Sequence, residues 1–360
     1  MANIVSIATA VPKFCHRQDD IMHFMSSAYG LDESEKRKLN FLYHRSGIEK
    51  RYSVIDDFSR PSDEWSFIPR EQNTFPSVDE RMKIFQQEAP ALSIQAITDC
   101  ISGYITPDEI THLITVSCTG MSAPGLDLQI AEEMQLPVTV FRTSVNFMGC
   151  YAAVHALKLA KLICDSTPGA NVVIAATELC TIHFQNEYTP DNAASSLLFS
   201  DGCAAVLVSD NISSKNCLAL KGFYSQLAYR GKNDMAWEIS SKGFLMTLSG
   251  YIPQLIEEDI TALVAAALKH YALKKEDITH WCIHPGGKKI LEVIEKQLRL
   301  QKDDLCRSRK VLAEYGNMSS PTVLFVLKDM MEHLPSTPCN VLGIAFGPGL
   351  TMETFIANRL

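Results

Sequence analysis

The chain has 360 residues, of which 46% are hydrophobic, and its formal net charge at pH 7 is −8. This length accommodates two ordinary domains or one large α/β unit with a sizeable core. The negative charge argues against a general nucleic-acid binder, and no apolar run reaches the roughly 18 residues that a membrane span needs.

Short apolar runs alternate with amphipathic segments along the first half of the chain. The apolar runs predict strands over 3–10, 112–118, 137–141, 171–178 and 203–209, so the N-terminus is expected to be a first strand and not a signal peptide. Helical periodicity covers 17–45, 80–102, 123–134 and 150–165. Residues 54–79 are rich in Pro, Ser, Asp and aromatic residues, which predicts a long structured loop.

The second half of the chain repeats the theme. It predicts strands over 217–229 and 280–284, helices over 242–271, 287–298 and 317–334, and a closing hairpin of 340–346 with 351–357. This alternation indicates a layered α/β fold. No Gly/Ser linker separates the halves, so we expect two closely packed halves, 1–215 and 216–360.

Cys150 stands between a glycine and an amphipathic segment in NFMGCYAAVHALKLA. Gly149 permits a sharp turn, and a thiol at a helix N-terminus meets the positive end of the helix dipole, which favours thiolate. The alternative is a buried structural cysteine, because cysteine is common in protein cores. The eleven cysteines of the chain include no C-x-x-C pair, which argues against a disulfide framework or a structural zinc site and favours the reducing cytoplasm.

Two further polar residues stand at similar junctions. His284 ends a predicted strand and is followed by Pro285 and two glycines, which leave space around the imidazole. Asn317 follows Gly316 in EYGNMSSPTVLF. A core histidine and a helix N-cap are the respective alternatives. Strand-to-helix junctions are where α/β folds place active sites, so together with Cys150 these residues predict thioester chemistry with enolate stabilisation.

At these residues the chain resembles the type III polyketide synthases, the chalcone synthase-like branch of the thiolase superfamily. The resemblance is carried by TAVP near the start, VSCTGMSAPGLDLQ, NFMGCYA, FSDGCAAVLV, WCIHPGGKKILE, YGNMSSPTVLFVL and AFGPGLTMET. The last three segments, in this order, are specific to the family. The match runs through most of the chain.

The resemblance implies a thiolase-like αβαβα layered fold built of two similar halves, and a homodimer. It implies that Cys150 is the nucleophile that holds the starter and the growing chain. His284 would keep Cys150 as thiolate and, with Asn317, donate hydrogen bonds to the enolate oxygen of malonyl-CoA as CO₂ leaves. The family needs no metal or tightly bound cofactor, because coenzyme A thioesters are its substrates.

The resemblance also implies pocket and cofactor-contact positions. Pocket positions fall at Phe199, Cys118, His183, Met246, Ser319 and Pro348, and contacts with coenzyme A phosphates fall at Lys38 and Arg45. A core histidine is the favoured alternative for His183, and a solvated helix face is the alternative for the two cations. Met246 stands where plant enzymes have Phe, and Cys118 and His183 where they have Thr. These departures argue against a plant phenylpropanoid starter and favour a bacterial member.

The expected activity is decarboxylative condensation of an acyl-CoA starter with malonyl-CoA, followed by cyclisation to a pyrone or phenolic ring. One alternative is a ketoacyl synthase III-like enzyme that condenses once. A second is a non-catalytic scaffold of the same fold, and a Cys/His metal-binding protein is a distant third. The starter, the number of extensions, the cyclisation mode and delivery by an acyl carrier protein stay open.

Overall fold

A mixed sheet of nine strands forms the centre of the protein, as described by a computed structural model for residues 1–68, 75–212 and 216–359. Its strands are β1 (Asn3–Ala10), β4 (His112–Ser117), β5 (Phe141–Asn146), β6 (Asn171–Leu179), β7 (Asp201–Ser209), β8 (Leu218–Leu227), β11 (His280–Ile283), β12 (Cys339–Gly347) and β13 (Thr351–Arg359). Two small antiparallel sheets pair β2 (Phe14–Arg17) with β3 (Lys50–Ser53) and, as a hairpin, β9 (Met235–Ser240) with β10 (Gly243–Leu248).

The sheet consists of two similar halves. Its order is β11-β12-β13-β8-β1-β7-β6-β4-β5, and the halves meet where β1 and β8 pair antiparallel. In each half a central antiparallel pair, β6 with β7 or β12 with β13, is followed outward by parallel pairing. The predicted boundary at residue 215 lies outside the described residues.

Ten helices of the described chain cover and separate the sheet halves. They are α1 (Gln18–Ala28), α2 (Glu33–Arg45), α3 (Val78–Ile101), α4 (Leu126–Glu133), α5 (Ala152–Ser166), α6 (Pro190–Leu198), α7 (Ile252–His270), α8 (Lys288–Gln297), α9 (Cys306–Tyr315) and α10 (Thr322–Glu332). Side-chain capping boxes fix the first turns of α2 and α3, which satisfies backbone N–H groups that a helix start leaves free.

The hydrophobic core is divided into three layers. In the middle layer, Val154 of α5 and Val323 of α10 pack together with strand residues of both sheet halves. One outer layer joins α1 and α3 to the N-terminal half, and the other joins α7 and α8 to the C-terminal half. This helix–sheet–helix–sheet–helix stack confirms the predicted αβαβα architecture. α10 is apolar over most of its surface because eight of its eleven residues are buried, and its three charged residues lie near its C-terminal end.

Two predicted segments of the first half are corrected by the structure. The helix expected over 17–45 is two helices, because Gly30 adopts a left-handed φ of +61° between them. The strand expected over 137–141 begins only at Phe141. Residues 137–140 form a turn instead, in which the Val140 N–H donates to the carbonyl of Pro137 at 2.9 Å.

Two segments of the second half also differ. The helix expected over 242–271 starts at Ile252, since residues 235–248 form the β9–β10 hairpin and Gly243 has a φ of +106° that a helix excludes. The helix expected over 317–334 starts at Thr322, and α9 was not predicted. Within the described ranges, no helix combines the length and the apolar character that crossing a membrane requires.

Candidate active site

One cavity, with an empty volume of about 1240 Å³ counted out to its open mouth, collects residues from both halves of the chain. All nine predicted catalytic and pocket residues line it: Cys118, Cys150, His183, Phe199, Met246, His284, Asn317, Ser319 and Pro348. They come from segments up to 230 positions apart, from 118 to 348. The fold therefore assembles the predicted constellation in one place.

Cys150 lies in the turn between β5 and α5, two residues before the first residue of the helix. Gly149 has a φ of +86°, and a Cβ at this position would lie 2.2 Å from Cδ of Pro348. Glycine is therefore the residue that lets the chain turn here against the 347–349 segment. The Gly149 N–H donates to Sγ of Cys118 at 3.0 Å, which ties the turn to the end of β4.

His284 follows β11, and its backbone N–H donates to the carbonyl of Ile344 at 2.8 Å. The ring is buried, and within the described residues neither Nδ1 nor Nε2 has a hydrogen-bond partner. Gly286 adjoins the ring, since a Cβ there would lie 3.8 Å from Nε2. A buried imidazole with both nitrogens unpaired costs free energy, so its position is better explained by a ligand or a proton-transfer partner in the cavity than by core packing.

Asn317 is held by its backbone and by its amide oxygen. Its N–H donates to the carbonyl of Leu198 at 2.9 Å, and its carbonyl accepts from the N–H of Ser200 at 3.0 Å. Oδ1 accepts from the N–H of Ser319 at 2.8 Å, whereas the contact of Nδ2 with the carbonyl of Gly286 is long, at 3.4 Å, and the side chain also hydrogen-bonds with the Cys150 thiol. Asn317 caps no helix, because α10 begins five residues later. Its amide nitrogen can therefore donate into the cavity.

Burial disfavours the charged forms of both the thiol and the imidazole. It raises the pKa of Cys150 to about 11, although hydrogen bonds from Ser319 and Asn317 act in the opposite direction. Burial also lowers the pKa of His284 to about 3. A thiolate at neutral pH is thus favoured only if an imidazolium forms with it, because paired charges compensate part of each other's desolvation.

His183 has the role of a satisfied core histidine that also lines the cavity. Its Nε2 donates to the carbonyl of Thr119 at 2.7 Å, and its Nδ1 accepts from the N–H of Phe244 at 3.1 Å. The ring stacks on Phe244 with centroids 4.2 Å apart, and burial lowers its pKa to about 3. The ring therefore stays neutral and fixes the β9–β10 hairpin to the cavity wall.

The structure adds residues that the sequence did not reveal. Glu178, in an otherwise apolar strand, is buried and accepts hydrogen bonds from Cys118 N–H, Thr119 Oγ1 and Ser320 Oγ at 2.7–2.8 Å. Burial raises its pKa to about 6. Trp237 lines the cavity and donates from Nε1 to the carbonyl of Cys118 at 2.6 Å. A charged residue inside a buried strand was the available signal for Glu178.

Lys38 and Arg45 do not line this cavity. Both are exposed on α2, where Lys38 borders a separate shallow groove with Arg37 and Phe41. The Arg45 guanidinium lies 4.4 Å from the centre of the Phe41 ring. α2 is nonetheless linked to the cavity wall, because Tyr43 Oη donates to the carbonyl of Ser196, a lining residue.

Comparisons with known proteins cover the whole chain. The family described as "Chalcone and stilbene synthases" matches with its N-terminal domain over residues 1–211 and with its C-terminal domain over 223–360. "Alpha-pyrone synthesis polyketide synthase-like Pks18" of Mycobacterium tuberculosis is 29% identical over 98% of this chain and 90% of its own length. "Type III polyketide synthase A" of Arabidopsis thaliana is 28% identical over 100% and 93%.

Two solved structures share the fold over nearly their full length. PKS-I from the brown alga Ectocarpus siliculosus gives a TM-score of 0.93 at 28% identity, covering 100% of this chain and 98% of that one. The C-terminal type III polyketide synthase domain of Steely1 from Dictyostelium gives 0.91 at 26% identity, covering 99% of each. These relatives have diverse sources, so the expected bacterial origin stays a prediction.

Proposed function

Since this chain belongs to the chalcone and stilbene synthase family and is a type III polyketide synthase, we propose that Cys150, His284 and Asn317 carry out its condensation chemistry. The observation that carries this assignment is their convergence in one cavity, with both nitrogens of His284 and the amide nitrogen of Asn317 available to a substrate. The family acts on coenzyme A thioesters; here these are an acyl-CoA starter and malonyl-CoA.

Loading begins with transfer of the Cys150 proton to His284. The thiolate attacks the acyl carbonyl of the starter, the bond to the coenzyme A sulfur breaks, and the leaving thiolate takes the proton back from His284. The starter is then a thioester on Cys150. Burial disfavours a charge on Cys150 or on His284 alone, so the proton must pass directly from the thiol to the imidazole.

Extension begins when malonyl-CoA loses CO₂. The electrons of the broken C–C bond form an enolate, whose oxygen accepts hydrogen bonds from His284 and from Nδ2 of Asn317. The enolate carbon attacks the Cys150 thioester, a C–C bond forms, and the thiolate leaves. The lengthened chain is now on coenzyme A and can return to Cys150 for another round, until it cyclises to a pyrone or phenolic product.

Replacing Asn317 by Ala should slow malonyl-CoA decarboxylation by about a hundredfold, the usual cost of losing one donor to a developing oxyanion. Acyl loading should persist, because the thiol and His284 are unchanged. Release of CO₂ and the mass of the acylated Cys150 peptide measure the two steps separately. Asn340→Ala, at a half-buried site on β12 outside the cavity, is the matched control. Equal losses in both steps would remove Asn317 from the specific role given to it.

The remainder of the cavity suits an aliphatic starter. Ile21, Met25, Phe58 and Phe184 contribute an apolar surface. Polar neighbours are already paired; for instance, the two ring nitrogens of His16 contact Ser59 Oγ and the carbonyl of Ile55. Within the described residues, the buried unpaired polar side-chain atoms on this wall belong to His284 and Arg51. Apart from these two side chains, the described part of the wall offers no buried unpaired partner for the hydroxyl of a phenolic starter.

Incubation with malonyl-CoA and a panel of acyl-CoAs, from acetyl through long-chain to aromatic, tests the function by mass spectrometry. Pyrones or phenols with several extensions are expected from aliphatic starters, with aromatic starters at least about tenfold poorer. A single β-ketoacyl product would instead indicate the ketoacyl synthase III-like reaction. The absence of any product with every starter would indicate that a carrier protein delivers the starter or that the protein is a non-catalytic scaffold. The enzyme with Cys150→Ala provides the background.

We propose that the phosphates of coenzyme A bind at α2, near Lys38 and Arg45. Their exposure and the link from α2 to the cavity wall support this placement. Arg45, stacked on Phe41, is better ordered for such a contact than a free cation. An unchanged KM for malonyl-CoA after reversing both charges would exclude it. An acyl carrier protein stays an alternative donor of the starter, and cytoplasmic location stays a prediction.

A homodimer is proposed to form through β5. Within the described residues this edge strand pairs with β4 alone, and it exposes Phe141 by 70%, with Val138 fully exposed just before it. A free strand edge beside exposed apolar side chains favours pairing with another strand. Sedimentation analysis of the protein and of Phe141→Glu would settle the state, since a monomeric parent contradicts the proposal.

A further inference from the structure

Arg51 of β3 is a buried cation on the cavity wall that the reaction steps above do not use. Its Nε donates to Oε1 of Gln18 at 2.9 Å, and its Nη1 donates to the carbonyl of Phe199 at 2.5 Å. Gln18 is itself fixed, because its amide nitrogen donates to the carbonyl of Leu197. Arg51 therefore binds the segment at the end of α6, and this segment carries the Phe199 ring that lines the cavity.

The aliphatic part of Arg51 packs against a second segment. A Cβ on Gly316 would lie 2.8 Å from Cγ and 2.9 Å from Cδ of Arg51. Gly316 also has a left-handed φ of +69°. Glycine is thus required here both by the backbone conformation and by the arginine that passes over it. The next residue in the chain is Asn317, so Arg51 restrains the backbone that carries the proposed enolate donor.

The two segments that Arg51 touches are joined to each other. Asn317 and Phe199 form a backbone bridge, in which the Asn317 N–H and carbonyl bond to Leu198 and Ser200. This bridge is isolated from the named strands and has only these two hydrogen bonds. Arg51 supports the bridge on both sides: its guanidinium, the fork of the side chain, bonds the Phe199 carbonyl, and its aliphatic stem packs on Gly316. A shift of the fork would move the Asn317 amide relative to the cavity.

The cost of this arrangement indicates that it is not ordinary packing. Among the described residues no carboxylate forms an ion pair with Arg51 within 4 Å, although the Tyr43 hydroxyl and the more distant Asp201 favour its charged form, and its Nη2 is buried without a hydrogen-bond partner. Burial accordingly lowers the pKa of Arg51. A buried cation without a direct counter-ion is expensive, and an apolar side chain could fill the space. What an apolar side chain cannot do is hold the Phe199 carbonyl and Gln18 at a fixed separation.

We propose that Arg51 is a positioning residue for decarboxylation, holding Asn317 and Phe199 at the separation that the malonyl group requires. The inference rests on the proposed roles of Cys150 and Asn317. It predicts a split between steps: decarboxylation depends on the placement of the Asn317 amide, whereas loading on Cys150 does not. Small displacements of a catalytic donor cost rate and leave substrate affinity largely intact.

The test compares Arg51→Lys and Arg51→Met in the full-length enzyme. Lys keeps the charge and loses the fork, and Met keeps the stem over Gly316 and loses both. For each variant, kcat and KM for malonyl-CoA decarboxylation are measured beside the rate at which iodoacetamide alkylates Cys150. We expect kcat to fall at least about tenfold in both variants, with KM and alkylation within about twofold.

Arg81→Lys is the matched control. Arg81 is also buried, and it also has an unpaired Nη2, but it bonds the carbonyls of Pro76 and Ile182 and not the Phe199 segment. It should keep its decarboxylation rate. The inference is overturned if Arg51→Lys decarboxylates at the parent rate, or if kcat and alkylation fall together in proportion to lost thermal stability. A parent enzyme that does not decarboxylate malonyl-CoA would instead overturn the proposed function.

Discussion

The Cys150→Ala enzyme should form no acyl-enzyme and no polyketide with any starter. The substitution removes one sulfur atom from a turn whose geometry depends on Gly149 and Pro348, so the fold should be unaffected. Without the thiol, the starter has no covalent attachment, and the enolate has no electrophile held beside it. The measurement is the mass of the intact protein after incubation with an acyl-CoA, followed by mapping of the acylated peptide.

This experiment needs a control because other thiols share the cavity. Cys118 and Cys180 also line it, and burial raises the pKa of each well above the ordinary thiol value. Cys203→Ala is the matched control, since this buried thiol contacts Thr177 in the core and does not line the cavity. It should load normally. Acylation of Cys118 or Cys180 in the Cys150→Ala enzyme would move the nucleophile to that residue.

The Cys150→Ala enzyme should still release some CO₂ from malonyl-CoA if His284 and Asn317 act on the malonyl group as proposed. This residual activity separates two explanations for a silent variant. A folded protein that lacks only its nucleophile keeps the enolate-stabilising donors, whereas a misfolded one loses them. Complete loss of decarboxylation in a protein with parental thermal stability would mean that the thiol itself takes part in that step.

The reactive residues could be predicted because each has a local signature. Gly149, the Pro-Gly-Gly run after His284 and Gly316 mark sharp turns at the ends of apolar segments, and such turns are visible in the sequence. The layered fold followed from the alternation of apolar runs for the same reason. What these signatures do not contain is the distance between segments, so convergence in one cavity rested on the family resemblance.

The supporting residues could not be predicted, because their roles depend on contacts between distant segments. Arg51 lies in a four-residue strand with no unusual pattern, and its partners Gln18, Phe199 and Gly316 come from three other parts of the chain. β5 was misplaced because it is an exposed edge strand with a polar sequence, while the more apolar 137–140 forms a turn. For Arg51 and for β5 alike, contacts with distant segments decide the structure, and the periodicity of the local sequence does not.

The second large effect is expected from His284→Gln, and it appears in the pH dependence of Cys150 alkylation. Without the imidazole, the thiol must lose its proton to solvent. With a pKa of about 11, the thiolate fraction at pH 7 is 10 to the power (7 − 11), or about one part in ten thousand. Alkylation at pH 7 should therefore fall by at least about a hundredfold relative to the parent.

The sign of the pH effect distinguishes this explanation from simple disruption. The pKa of the thiol is raised by burial, so the variant should recover reactivity as pH rises, with the rate increasing about tenfold per pH unit up to pH 9 and beyond. The parent, in which the proton moves to His284, should be much less dependent on pH over the same range. A disrupted cavity would instead expose the thiol to solvent and give it the pH profile of an ordinary cysteine.

The chain supplies its own controls for this measurement. Cys15 and Cys306 are exposed and should alkylate identically in parent and variant. His280→Gln changes the histidine that begins β11, the strand leading to His284; its ring bonds only Thr279 among the described residues, and the change should leave the Cys150 profile unchanged. If His284→Gln kept the parental rate and profile, the N-terminus of α5 would have to stabilise the thiolate alone. The helix dipole would then stabilise the thiolate more than the imidazole does.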